Sequence, residues 1–517
     1  MHDLFEPYRN EPYRSYTDKD DVKRYQRALK AVAGELGQDY PLTVGGQRIM
    51  TDRFLESRNP SQTDMLVGRS AKAGAKELEQ AMNAAWRAFD DWSRLGMAER
   101  ARYLVALAAA MRRRKLELAA WMTYEAAKSY AEAEADVAEA IDFCEYYARE
   151  ALKLDGPLPT YHYPGEENTS FLIPVGAGVV IPPWNFPLAI LSGMTVGPVV
   201  VGNTVIVKPA PDTPIIAQKF MECVQAAGFP PGVINLLTGD DADLGDALVD
   251  HARTRFVNFT GSLATGMRIH ERAAKVQPGQ KWLKKVYVEM GGKDALIVDE
   301  TVDLDEAAAI ATASGYGFQG QKCSAMSRLI VLEEVYDELV GRFVERVKGL
   351  KLGPAVDNPD LAAVINQKAV DKIMHYLELG KVEAKLLAGG ERGDARGYFV
   401  QPTVFADVPQ SATIACEEIF GPVVAVSKAA SFEAALEMAN ATVYGLTGGV
   451  LSKNRARLDK ARREFVVGNL YLGRKITGAL VGVQPFGGYK LSGSNAKAGG
   501  PDYLRLFMEM KTVSERF

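Results

Sequence analysis

Two residues of this chain stand where chemistry could be done. Cys323 lies in Phe318-Gln-Gly-Gln-Lys-Cys323-Ser-Ala, with glycine, glutamines and Lys322 around it. A neighbouring cation and partial exposure favour the thiolate, the nucleophilic form of cysteine. The alternative is a small buried hydrophobe, the state expected of Cys144, Cys223 and Cys416. Glu289 ends the run Val286-Tyr-Val288 and precedes Met290-Gly291-Gly292-Lys293. A carboxylate there either reaches into a cleft or sits on the surface before a turn. The turn Gly261-Ser-Leu-Ala-Thr-Gly266 follows a β-like run and opens a helix. Backbone donors at such a helix start can hold a phosphate, and Ser262 can equally be a plain cap. Two other glycine patterns fail. Gly176-x-Gly178 has Ile181 where a dinucleotide fingerprint needs its third glycine, and Gly197–Gly202 is followed by Asn203 instead of the phosphate-binding lysine.

The elements that must position these groups can be read from periodicity. Leu42–Val44 and Gln47–Ile49 flank Gly45-Gly46, a hairpin signal. Apolar residues at helical spacing predict three helices, over 74–95, 97–120 and 122–153. From Ala177 the pattern becomes β-branched runs separated by helices: Gly178–Ile181, Thr204–Val207, Val233–Leu236, Arg255–Asn258 and Val286–Val288. A second series follows at Ala295–Val298, Arg328–Leu332, Val423–Val426, Gly449–Leu451 and Gly468–Tyr471. Such alternation predicts an α/β protein with two parallel, doubly wound sheets in succession. The tail Asp502–Phe517 reads as a helical turn and a β-like end, assigned to subunit contacts.

Composition narrows the function classes. With 517 residues and a hydrophobic share of 47%, the chain is globular and divides into about three units. A net charge of −4 offers no basic footprint for nucleic acid. Four cysteines without a C-x-x-C and five histidines without zinc spacing suggest neither disulfides nor a metal. Phe171 to Val207 carries no charge, but Pro182, Pro183, Pro187 and Pro198 interrupt it, so it reads as buried core and not as a membrane span. The first sixteen residues lack an apolar run, and a cytoplasmic location is expected.

Six motifs occur in order: Pro183-Trp184-Asn185-Phe186-Pro187, Lys208-Pro209-Ala210, Phe259-Thr260-Gly261-Ser262, Glu289–Lys293, Gly320-Gln-Lys-Cys323 and Glu417-Glu418-Ile-Phe420-Gly-Pro422. Together they resemble the aldehyde dehydrogenase superfamily, from about Tyr40 to the end of the chain. Three further stretches resemble its branch acting on L-glutamate γ-semialdehyde: Tyr316–Ser324, Glu139-Ala-Ile-Asp-Phe143 and Lys475–Gly488. An N-terminal extension of about 40 residues suits that branch too. The resemblance implies a Rossmann-variant cofactor domain (41–155 and 176–290), a second α/β catalytic domain (291–488), and a small β oligomerisation arm (156–175 and 489–517), with 1–40 as the extension.

The same resemblance implies the chemistry. Cys323 would attack the aldehyde, giving a thiohemiacetal and then a thioester. Asn185 and the Cys323 N–H would steady the oxyanion, and Glu289 would activate the hydrolytic water. The cofactor residues implied are Pro183, Trp184, Lys208, Gly239, Gly261, Ser262, Gly266, Glu289, Gly291, Glu418 and Phe420. Gly478, Ala479 and Ser324 would hold the substrate carboxylate, Phe186 and Phe486 would flank its carbon chain, and Glu134 would meet its ammonium group. NAD is the expected cofactor. NADP stays open, because Pro211 stands where many NAD-preferring relatives carry a ribose-binding glutamate. The expected partners are an amino-acid semialdehyde, further copies of the chain in a homodimer or larger homo-oligomer, and a proline dehydrogenase. Two other readings compete: a dehydrogenase for another semialdehyde such as succinate semialdehyde, and a cysteine hydrolase or acyltransferase. The second would need a histidine partner for Cys323, and the nearest upstream is His270.

Overall fold

Two seven-stranded sheets organise the computed structural model, which describes residues 4–517. The first sheet has the spatial order Lys285–Glu289, Phe256–Thr260, Ala177–Ile181, Thr204–Val207, Ile234–Leu236, Leu42–Val44, Gln47–Ile49. Its first five strands are parallel, and the hairpin closes it antiparallel. The second sheet runs Lys385–Ala388, Thr403–Ala406, Val423–Ala429, Met326–Leu332, Asp294–Val298, Thr447–Leu451, Asn469–Leu472, parallel except at its first pair. Central strands such as Thr204–Val207 are buried along their whole length. Helices cover both faces of a parallel sheet, so such strands read as unbroken apolar runs.

All ten predicted strands of the two parallel series are present, shifted at most by a few residues. The hairpin is present as well. The predicted helix over 97–120 is two helices, Met97–Arg113 and Lys115–Ala126, and the one over 122–153 begins only at Tyr130. The second break has a clear cause. Ala127 adopts φ +53°, which turns Lys128 inward to within 2.7 Å of the Asp136 carboxylate, both side chains fully buried. The Lys128 ammonium also lies 4.1 Å from the centre of the Phe186 ring and 4.5 Å from that of Phe318. Asp136 accepts the Ala189 N–H at 2.6 Å, tying the helix Tyr130–Leu152 to the segment that follows Phe186. An ordinary helical path would have pointed Lys128 elsewhere.

Several elements escape the periodicity. A three-stranded sheet joins Gln38–Tyr40, Gln62–Ala71 and Phe54–Asn59, whose polar Glu-Ser-Arg-Asn end conceals it. Within the extension, Asp18 caps a helix over Lys19–Ala33 that buries Tyr25, Leu29 and Val32. Tyr25 stacks on Tyr130 with ring centres 4.0 Å apart. The tail forms a 3₁₀ turn, Tyr503–Phe507, and a strand, Met508–Arg516, paired antiparallel with Glu166–Pro174. Between Phe171 and Val207 lie two buried strands, Ala177–Ile181 and Thr204–Val207, and a short helix, Ala189–Val200, containing Pro198. Among the described residues no helix is long and apolar enough to cross a membrane.

The buried pair yields a test. Asp136→Ala leaves the Lys128 ammonium buried without its counter-ion, a change that costs about 3–5 kcal/mol. Chemical denaturation should show that loss, and replacing both residues with apolar ones of similar volume should recover most of it.

Candidate active site

Cys323 sits at the end of a tightly constrained loop. Phe318, Gln319 and Gly320 take consecutive positive φ values of 49°, 55° and 66°. Left-handed geometry at two non-glycine residues costs of order 1–3 kcal/mol each, so the surroundings must hold it in place. The glutamines do so. Gln319 donates to the Ala363 carbonyl at 2.9 Å, and Gln321 accepts the Ile365 N–H at 3.0 Å. Gly320 is required, because a Cβ there would stand 2.3 Å from the Gly421 carbonyl oxygen. Asn185, nearly fully buried, donates its side-chain amide to the Gln321 carbonyl at 3.0 Å. It is thereby fixed two residues from the thiol.

Glu289 closes its strand on the other side. Its carboxyl accepts the Gly488 N–H at 3.0 Å and the Ala496 N–H at 3.2 Å. Burial outweighs those two donors and pushes its pKa up to about 8. Gly291 and Gly292 then bring the chain under the thiol loop. A Cβ on Gly292 would lie 2.6 Å from the Cys323 carbonyl oxygen. A Cβ on Gly291 would lie 2.2 Å from the Glu418 carboxylate, which accepts the Gly292 N–H at 3.1 Å.

Electrostatics reverse one expectation from sequence. Lys322 does not favour the Cys323 thiolate, because its ammonium is paired with Glu132 at 2.6 Å. Burial pushes the Cys323 thiol up, and the carboxyls of Asp294, Glu418 and Glu289 push it further. A base or a transient rearrangement must therefore accompany attack by this sulfur.

A second correction concerns Glu134. Its carboxylate is fully buried and is bound by Arg14 at 2.6 Å and by the Tyr16 hydroxyl, both from the N-terminal extension. It is committed there and does not face Cys323. Side chains two residues apart on a helix point about 200° away from each other. Glu132, on the opposite face, reaches Lys322. Glu139, two turns on from Glu132, shares that face; burial first, then Asp136, pushes it up to about 8 against the opposing charges of Lys128 and Lys322. The i, i+7 spacing of Glu132 and Glu139, opposite a loop containing Lys322, was the available signal.

The remaining residues are distributed as follows. Ser324 is buried beside Cys323. Gly478 has φ +76°, with Lys475 lying over it. Burial and then Lys322 hold the Lys475 pKa down, so two ammonium groups share the neighbourhood of Gly478-Ala479. Phe186 packs against Lys128, and half-buried Phe486 donates its N–H to the Ala498 carbonyl at 2.9 Å. Phe420, at φ +61°, meets Trp184 edge-on at 5.5 Å, next to half-buried Pro183. His270 is exposed on the helix Leu263–Ala274.

The C-terminal edge of the first sheet is where parallel sheets bind their ligands. Lys208 follows the strand Thr204–Val207, fully buried, with its ammonium against exposed Asp241. Ser262 caps the helix Leu263–Ala274 by accepting the Thr265 N–H at 3.2 Å, and that first turn is open to solvent. Gly239, Gly261 and Gly266 serve packing first. A Cβ on each would crowd Leu244, the Phe259 ring and Met290 at 2.8, 2.5 and 2.4 Å.

Comparisons with known proteins identify the family and the fold. The aldehyde dehydrogenase family profile matches residues 49–513. The chain is 55% identical over 515 residues to 1-pyrroline-5-carboxylate dehydrogenase of Geobacillus kaustophilus, covering 99% of this chain and 100% of that one. A crystal structure of 1-pyrroline-5-carboxylate dehydrogenase from Thermus with bound NAD superposes with a TM-score of 0.98 at 54% identity, covering 99% of this chain and 100% of that one. Proline utilization A from Bdellovibrio bacteriovorus superposes at 0.96 with 43% identity; the match covers 99% of this chain and 53% of that longer one.

The carboxylates around the thiol make a prediction about its reactivity. Alkylation of Cys323 by iodoacetamide, followed by peptide mass spectrometry, should keep accelerating with pH through about 9 without a plateau. Glu418→Gln removes one of the negative charges and should speed the reaction at pH 8 by at least about twofold.

Proposed function

Because this chain belongs to the aldehyde dehydrogenase family, we propose that Cys323 is its nucleophile, Asn185 its oxyanion donor and Glu289 its hydrolytic base. The reaction is the NAD-dependent oxidation of L-glutamate γ-semialdehyde, the hydrolysed form of Δ1-pyrroline-5-carboxylate, to L-glutamate. The observation that supports the assignment of roles is the close approach of Gly292, three residues after Glu289, to the Cys323 carbonyl.

The steps follow from the groups present. The Cys323 thiol gives up its proton to water as its sulfur bonds to the aldehyde carbon, and the carbonyl oxygen becomes an alkoxide. The Asn185 amide and the Cys323 N–H donate to that oxygen, a contribution of about 3–4 kcal/mol per donor in comparable sites. Bound NAD supplies the acceptor for the hydride that the carbon loses when the thiohemiacetal becomes a thioester. Glu289 then takes a proton from water, whose oxygen bonds to the thioester carbon as the C–S bond breaks and returns the thiol. Leaving Gly488 and Ala496 frees its carboxylate for that task.

Lys208, the Ser262 turn, Glu418, Phe420 and Trp184 are the proposed cofactor contacts. Asp241, at the Lys208 ammonium, supplies near the ribose the negative charge that Pro211 lacks, which favours NAD over a 2′-phosphorylated cofactor. Gly478, Ala479 and Ser324 are the proposed carboxylate anchor, reinforced by Lys475. Glu139 takes the ammonium-facing role in place of Glu134. The divisions at 41–155 with 176–290, at 291–488, and at 156–175 with 489–517 are the proposed domains and arm. A two-stranded ribbon as exposed as Glu166–Pro174 with Met508–Arg516 is marginal alone, which supports its being covered by another copy of the chain. A cytoplasmic location and a proline dehydrogenase as supplier of substrate belong to the same proposal. The match to about half of proline utilization A supports the second.

The discriminating assay is cofactor reduction with two aldehydes. A site with buried donors for a carboxylate should favour glutamate semialdehyde over pentanal in kcat/KM by at least about tenfold. Cys323→Ala should abolish both activities while NAD still binds, and Ala479→Leu should erase only the preference. Equal kcat/KM for the two aldehydes would remove the substrate assignment.

Glu289→Gln should spare hydride loss more than thioester hydrolysis, giving a burst of NADH followed by slow turnover. In the unmodified enzyme the hydrolytic step should accelerate as pH rises through about 8, because the raised pKa keeps Glu289 protonated below that value. The variant should lose that pH limb. A limb that persists would place the base elsewhere.

A further inference from the structure

The N-terminal extension does more than lie on the surface. Its residues 5–16 run along the face of the helix Tyr130–Leu152 opposite Glu132 and Lys322. Arg14 binds Glu134, the Glu11 N–H and the Asn10 amide reach Asp142 at 2.7 and 3.0 Å, and Arg149 donates to the Glu6 carbonyl at 2.8 Å. Midway along, while Asn10 still binds Asp142 and Tyr8 packs on Tyr146, the segment also takes hold of a loop. The Tyr8 hydroxyl donates to the Val481 carbonyl at 3.0 Å, and the Asn10 amide reaches that carbonyl at 3.1 Å and the Tyr8 oxygen at 2.8 Å.

Val481 follows Gly478-Ala479 by two residues, in a loop that Arg474 also holds by donating to the Thr477 and Gly478 carbonyls at 3.1 and 3.3 Å. Gly482 donates to the Gly499 carbonyl at 2.9 Å, and Phe486 to that of Ala498 at 2.9 Å. Gly482 has φ +75°, and a Cβ there would meet the rings of Tyr146 and Tyr8, each at 3.0 Å. Those rings pack edge-on at 5.3 Å. The loop carries glycines at 478 and 482, both at positive φ, so little intrinsic stiffness opposes its movement. Its position is set by what grips it.

We infer that Tyr8 and Asn10 are positioning residues for substrate recognition: they hold the Gly478–Gly482 loop where its backbone donors meet the carboxylate of an amino-acid semialdehyde. The inference rests on the proposed role of Gly478-Ala479 as the anchor. The mechanical link runs from a segment far from Cys323 in sequence to the one loop that distinguishes a carboxylate-bearing aldehyde from a plain one. The thiol, Asn185 and Glu289 receive none of these contacts.

The test compares glutamate semialdehyde with pentanal in the full-length enzyme carrying Tyr8→Phe and Asn10→Ala together. KM for the semialdehyde should rise by about 5- to 10-fold, while kcat/KM for pentanal and KM for NAD stay within about twofold. If the double variant does not fold, Tyr8→Phe alone keeps the ring packed and should give the same selective rise at smaller amplitude. A parallel loss with both aldehydes would mean a merely structural role and overturn the inference, as would an unchanged preference. Absence of any preference in the unmodified enzyme would instead overturn the anchor itself, which separates the two failures.

Discussion

One close approach holds this site together. The Cys323 carbonyl oxygen lies where a side chain on Gly292 would begin, and the Glu418 carboxylate lies where one on Gly291 would begin. Four residues, Met290 to Lys293, carry the chain from the last strand of the first sheet to the first strand used in the second. Because they take almost no room, the base-bearing end of one sheet and the thiol loop of the other close on each other. A larger residue at 292 would displace the loop, which the strained turn at Phe318–Gly320 has no slack to follow, and one at 291 would displace the Glu418 carboxylate.

That closeness has an electrostatic consequence. Asp294, Glu418 and Glu289 surround a thiol that burial already keeps protonated. Lys322, turned away to Glu132, does not offset that upward push. In the proposed mechanism the same carboxyls then serve in turn, Glu418 toward the cofactor and Glu289 toward water. Glu289 is held at a pKa where it can gain and lose a proton near neutrality, as a base must.

The helix Tyr130–Leu152 divides the work between its two faces. One face sets Glu132, Asp136 and Glu139 against the thiol loop and the Asn185–Ala189 segment. The other offers Glu134, Asp142 and Arg149 to the N-terminal extension. The buried Lys128–Asp136 pair locks the start of this helix to Phe186 and Phe318. The extension is therefore part of the framework of the site, although it supplies no group to the chemistry.

The sequence by itself determined the two parallel sheets, since strands buried on both faces must be continuous apolar runs and helices must alternate between them. It also singled out Cys323, Glu289 and Asn185 as the proposed principal groups, because the motifs that carry them resemble those of the family. Only the tertiary structure decided the charge states and the partners. Lys322 sits next to Cys323 in sequence yet spends its charge on Glu132, 190 residues earlier. Glu134 and Glu132 are equivalent in composition and differ only in helix face, which is meaningful once it is known what covers each one. The break at Ala127 and the grip of Tyr8 on Val481 involve residues with no local signal at all. Long-range pairing and burial set such features, and neither is a property of a short stretch of chain.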